Sequence, residues 1–177
     1  MLPSLYEELL EDTAAVRLDR PEGVTGDELS GLMDLRPAIA ELCDRLAQVG
    51  VPESLHNGDF HDGNVFLNEG HPSLFDWGDA CVAHPFFSAV AALRNVEDRF
   101  SLAWDGPEIV QLRDIYLSLW TRWGSLEELV RAYETATPLT LICGALGWQR
   151  WVRRYPDEFP DHVATWLQEL LEMRLGS

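Results

Sequence analysis

Apolar residues recur at three- and four-residue steps over most of the chain, the signature of helices that bury one face. Leu5, Leu9 and Leu10 predict a short helix over residues 3–12, and an Arg-Pro-Glu-Gly turn at 20–23 breaks the pattern. Thr25-Gly-Asp-Glu28 has the form of a capping box, in which hydroxyl and carboxylate each satisfy a free backbone donor. From there Leu29, Leu32, Met33, Ile39, Leu42, Cys43 and Leu46 share one helical face as far as Gly50. Pro37 inside that run predicts a kink or two abutting helices.

Residues 51–84 depart from this period. They are rich in Gly, Asn, Asp and His, and two β-like runs, Val65 to Leu67 and Ser73 to Phe75, predict a small hairpin joined by residues 68–72. Helices resume near Pro85, with Phe86, Val90 and Leu93 inward, and after Asp105-Gly-Pro107, with Ile109, Leu112, Ile115, Tyr116 and Leu119 at helical steps. Ser125 and Glu128 form a second capping box, and further helices are expected after Pro138 and Pro160, running to about Arg154 and Arg174. No repeat, low-complexity tract or linker intervenes. The expected fold class is mainly α with a small β-hairpin (α+β), with residues 1–177 as a single domain.

Composition narrows the function. The 177 residues, 46% of them hydrophobic, suffice for a sizeable core. Thirteen basic residues against thirty acidic ones give a net charge of -17. That charge makes nucleic acid and acidic membranes poor partners and draws in cationic small molecules. All thirteen basic residues are arginine. The absence of lysine excludes P-loop and Schiff-base chemistry, and any kinase mechanism that supplies its own phosphate-binding lysine. Cys43, Cys81 and Cys143 lie far apart, which suits free thiols in a reducing compartment. The first residues are acidic and amphipathic, unlike a signal peptide. The uncharged stretch from Leu139 to Trp148 is too short to span a bilayer, so a cytoplasmic location is expected.

The chemistry concentrates in Leu55-His-Asn-Gly-Asp-Phe-His-Asp-Gly-Asn64 and Phe75-Asp-Trp-Gly-Asp-Ala80. Asp59 and Asn64 lie five apart across a glycine-containing loop that can curl both side chains toward one point. Asp76, at the end of the second hairpin strand, can face the same point. Two carboxylates and an amide oxygen are hard ligands suited to Mg²⁺ with its waters and a substrate phosphate.

These two segments resemble the catalytic and metal-binding loops of the aminoglycoside phosphotransferase family, relatives of protein kinases that include the choline kinases. The family's loop reads approximately H-G-D-x-H-x-G-N, and a D-W/F-x-x-A segment follows a hairpin. Gly58 to Asn64 and Asp76 to Ala80 match at the expected separation. The resemblance implies a protein-kinase-like C-terminal lobe that transfers phosphoryl groups from ATP, with Mg²⁺, to a hydroxyl of a small, often cationic acceptor such as an aminoglycoside. It makes Asp59 the catalytic base and Asn64 and Asp76 the metal and nucleotide ligands, with Asn57, His61 and Asp79 supporting. The sequence departs from the pattern twice. Asn57 stands where the family has histidine, the nearest being His56. The roughly fifty residues before the motif read as helical and lysine-free, so the family's β-rich N-terminal lobe is expected to be absent. The alternative is therefore a non-catalytic ligand- or partner-binding module, derived from a truncated or split kinase. A partner chain supplying the N-lobe, or self-association through an apolar surface near Phe60, Phe66 and Phe75, would follow.

Other residues have plainer readings. His56, Asp59, His61 and Asp62 are suitable transition-metal ligands, but their spacing matches neither H-E-x-x-H nor H-x-H-x-D-H. His71, His84 and His162 read as loop or cap residues. The seven tryptophans read as core and rim packing. Acid-rich residues in 126–134 and 157–172 either line an electronegative pocket or serve solubility. Arg150, Arg153 and Arg154 are the one basic cluster, suited to phosphate or to a helix C-terminus.

Overall fold

The computed structural model describes residues 2–173 and 175. It is mainly helical, with two small two-stranded sheets. In chain order come α1 (Leu2–Glu11), α2 (Gly26–Asp34), α3 (Arg36–Gln48), β1 (Ser54–His56), β2 (Val65–Asn68), β3 (His71–Leu74), β4 (Cys81–Ala83), α4 (Pro85–Phe100), α5 (Pro107–Ser118), α6 (Leu126–Arg154) and α7 (His162–Glu172). The chain divides into two compact units, residues 46–137 and residues 1–45 with 138–177.

In the unit formed by the two ends of the chain, the Thr25 capping box is present in both directions and starts α2. The break before Pro37 gives two abutting helices, because proline is tolerated only in the first turn of a helix. Leu9, Leu10, Leu32, Ile39, Val163, Leu167 and Leu170 are buried. The Tyr6 hydroxyl donates to Leu32 O at 2.9 Å, and Gln168 Nε2 donates to Glu28 Oε1 at 3.1 Å. Gly144 lies flat beneath the Trp166 ring, where a Cβ would approach to 2.7 Å. The described part of α7 ends at Glu172, and Arg174 lies outside the described residues.

Residues 46–137 hold both sheets, α4, α5 and the start of α6. Phe86, Val90 and Leu93 of α4 are buried as their spacing implies. Tyr116 of α5 donates to Pro85 O at 3.0 Å, and Trp120 meets the Phe86 ring edge-on. Ser125 and Glu128 form the second capping box at the start of α6.

Four expectations are corrected. The hairpin turn is two residues, Glu69 and Gly70, both with positive φ, as a type I′ turn requires. His71 and Pro72 consequently lie in β3, and Phe75 does not. A second sheet, β1 against β4, pairs Ser54 with Ala83 and His56 with Cys81. On α5, Ile109 and Leu117 are buried while Leu112, Ile115 and Leu119 are exposed. Apolar residues surround so much of this helix that their period does not select a face. Finally, α6 runs unbroken through Pro138. Residues 135–142 are all buried, and Thr135 and Thr137 donate to carbonyls four residues back. Burial on every side offsets the roughly 3 kcal/mol that an internal proline costs. The tryptophans sit at the rim, since none is fully buried.

The Thr25 backbone N–H, the larger influence, and the Thr25 hydroxyl hold the Glu28 carboxyl below its ordinary value against the opposing effect of partial burial. A carboxylate depressed on folding stabilises above its unfolded pKa and loses that contribution as pH falls through its folded pKa. Thr25→Ala should therefore cost about 1 kcal/mol at neutral pH, read as a lower urea midpoint. The gap between wild type and Glu28→Gln should narrow in acid.

Candidate functional site

The site is built on a loop closed at its neck. β1 and β4 pair antiparallel, so residues 57–80 leave the sheet and return to it, and the β2/β3 hairpin projects from their middle. Within this loop the backbone turns sharply at Gly58, whose φ of 86° lies in the left-handed region. A Cβ at Gly58 would run into the carbonyl oxygen of Asp79, so the turn and the Asp79 segment touch backbone to backbone.

Asn57 joins the two halves. It is 2% exposed, and its Oδ1 accepts from the Asp59 N–H at 3.1 Å. Its Nδ2 donates to Asp76 O at 2.9 Å and to Phe75 O at 3.3 Å. An amide can do this because it carries an acceptor and two donors on one rigid group. Asp76 has a positive φ of 52°, a strained value for a side-chain-bearing residue, and Asn57 grips the peptide on either side of it.

Asp59 and Asn64 come together as their spacing suggests. Asn64 Nδ2 donates to Asp59 O at 3.0 Å and lies 3.4 Å from Asp59 Oδ2, across a single 3-10 turn, Asp62–Asn64. The Asn64 carbonyl accepts from the Phe75 N–H, tying this turn to the residue before Asp76. The Asn64 amide nitrogen is thus committed to Asp59, and its Oδ1 is the atom that could act as a ligand. His61 Nδ1 accepts from Gly63 N–H, which leaves the ring proton on Nε2, 3.6 Å from Asp59 Oδ2. Asp62 lies 3.6 Å from the Arg99 guanidinium instead. Among the described residues no three His, Cys, Asp or Glu side chains gather as a metal cluster, so the His56, Asp59, His61 and Asp62 arrangement does not form one.

Two supporting residues escaped the sequence reading. His56 is buried, its imidazole is held below the ordinary value by that burial, and its Nδ1 lies 2.7 Å from Ser88 Oγ. Asn95 Nδ2 donates to Phe60 O at 2.9 Å. Ser88 and Asn95 stand seven apart on α4, two uncharged polar residues on one face of the helix. That spacing was the available signal. His84 caps the same helix by accepting from Phe86 N–H, and burial pushes its pKa down to about 4. Phe66 and Phe75 meet edge to face at 5.0 Å and remain 59% and 52% exposed, while Phe60 is half-buried.

Asn57→Ala would leave the Asp59 N–H and the Asp76 carbonyl without their partner, at a cost of about 2 kcal/mol or more. The measurement is chemical denaturation, with faster amide exchange at Asp59 as the local readout. Gly58 and Gly70 both have positive φ, but only Gly58 has a backbone against it. Gly70→Ala should cost about 1–2 kcal/mol, and Gly58→Ala distinctly more, with the Asp79 segment displaced in its spectra.

Compared with known protein families, residues 6–129, more than half of the chain, match the model described as the phosphotransferase enzyme family. No curated protein and no solved structure matches the chain.

Proposed function

The chain belongs to the phosphotransferase enzyme family, and on that premise we propose that it serves Mg²⁺-dependent transfer of a phosphoryl group from ATP to a hydroxyl of a small cationic molecule, such as an aminoglycoside. The observation that carries this reading is the buried Asn57 amide, which holds the Asp59 loop to the Asp76 segment. Residues 1–177 are taken together as a kinase-like C-terminal lobe.

In this reading Asp59 is the base. Its carboxylate is 55% exposed, within reach of a substrate, and is oriented by Asn64. It accepts the proton of the acceptor hydroxyl as that oxygen attacks phosphorus. Asn64 and Asp76 would hold Mg²⁺ with the ATP phosphates. The donors suit it: Mg²⁺ takes one or two carboxylates, keeps several waters and leaves room for phosphate oxygens. When bound, the ion neutralises charge on the phosphates. Asn57, His61 and Asp79 position these groups, and the net charge of -17 favours a cationic acceptor. The described helices are too short or too polar to cross a membrane, and three free cysteines fit a reducing cytoplasm.

A second reading is favoured by the surroundings of the site. The 177 residues contain no lysine, and the elements ahead of β1 are the helices α1 to α3. Phe66, Leu67 and Val82 on the ribbons, and Phe75 just after β3, are exposed. Here the chain is a ligand- or partner-binding module, or receives its phosphate-covering loop and lysine from another chain or a second copy.

Calorimetric titration with ATP and Mg²⁺ separates the two. Micromolar binding that disappears in Asp76→Asn is the outcome expected of a self-sufficient metal site, and heatless mixing moves the assignment to the second reading. Asp59→Ala should abolish transfer while ATP binding and the circular dichroism spectrum persist. Undiminished turnover in that variant would remove Asp59 from its role.

A further inference from the structure

The C-terminal part of α6 carries a feature for which phosphoryl transfer at Asp59 has no use. Leu146, Gln149, Arg150, Arg153 and Arg154 line an open groove of about 420 Å³, a size common among small-ligand sites. Their spacing is i, i+3, i+4, i+7 and i+8, so all five share one helical face. In most helices that stripe is apolar and packed. Here it holds three of the thirteen positive charges of a chain whose net charge is -17.

The helix dipole explains part of this. It favours Arg153 and Arg154 in the last turn of α6, but it fades before reaching Arg150. Like charges at these spacings also repel, so the cluster costs the bare helix stability. The side chains are nevertheless held in place. Asp12 accepts from Gln149 Nε2 at 2.8 Å and lies 3.3 Å from Arg153, fixing one wall. The guanidinium of Arg150 lies over the Trp151 ring at 5.1 Å, and that of Arg154 over Tyr155 at 5.4 Å. Those two rings stack on each other at 6.1 Å. Cation–π attraction holds the Arg154 guanidinium beside the Tyr155 ring. Arg154 makes no hydrogen bond or ion pair among the described residues, although Asp157 and Glu158 follow it closely.

We propose that this groove binds a compact diphosphate-type anion, free or as part of a nucleotide, without a metal ion. The guanidinium fork matches paired phosphate oxygens, and aromatic stacking has already restricted the side chains that would otherwise lose freedom on binding. The overall negative charge does not forbid this. At physiological ionic strength charges beyond about 8 Å are screened, and the contacting guanidiniums decide.

The test is calorimetry of the full chain at physiological salt in EDTA, with inorganic pyrophosphate in one arm and ADP in the other. Saturable submillimolar binding is expected, weakened about tenfold in Arg154→Gln and further in Arg150→Gln/Arg154→Gln. Arg154 is exposed, and glutamine keeps part of its stem over Tyr155, so the variant should fold. Asp76→Asn should bind as wild type does, which separates this groove from the Asp59 and Asp76 loop. Binding in both arms assigns the phosphate group itself, and tighter binding of ADP adds contacts to the nucleoside. Absence of heat in both arms, or affinity unchanged in the double variant, overturns the proposal.

Discussion

The Asn57 side chain connects the backbone of Asp59 to the backbone of Asp76, and so ties the two arms of the loop to each other. Its effect depends on burial. In water an amide exchanging partners with solvent would fix little, whereas at 2% exposure a missing partner carries its full desolvation cost. The β1/β4 ribbon delivers the two segments to within its reach, and Gly58 lets them approach closely. Asp76 can then keep a left-handed backbone that an unsupported loop would abandon.

The family pattern places a histidine where this chain has Asn57. The structure gives the substitution a physical content, because the amide makes three backbone hydrogen bonds. His56, its pKa lowered by burial, reaches Ser88 on α4, and Asn95 on the same helix holds the Phe60 carbonyl. The loop is thus fastened from inside by an amide and from outside by a helix. Its outer surface, with Phe66 and Phe75, remains open to solvent.

Where local chemistry decides structure, the chain was legible. Both capping boxes, the break at Pro37 and the buried face of α4 follow from neighbours a few residues apart. The pairing of Asp59 with Asn64 was readable for the same reason. Distant partners were not. β1 and β4 have three residues each, too few for a period, and find each other across the whole loop. Pro138 argues for a boundary, but burial of residues 135–142 overrides it. On α5, a helix with apolar residues on several sides gave no preference, and packing against α4 chose. The role of Asn57 needed the fold, since nothing near it in sequence names Phe75 or Asp76 as its partners.

The neck of that loop has a consequence for order in time. Closing roughly two dozen residues between His56 and Cys81 costs on the order of 3 kcal/mol in chain entropy beyond a constant. Three strand pairs are a modest return for it. Contacts so separated in sequence form late in folding, after helices such as α4 have given the loop something to fasten to. Asp59 and Asp76, a few residues from the neck, therefore take their places only when most of their unit is already built. A ligand spanning Asp59 and Asp76 would grip both arms of the same loop, and would turn its own binding energy into closure of the neck.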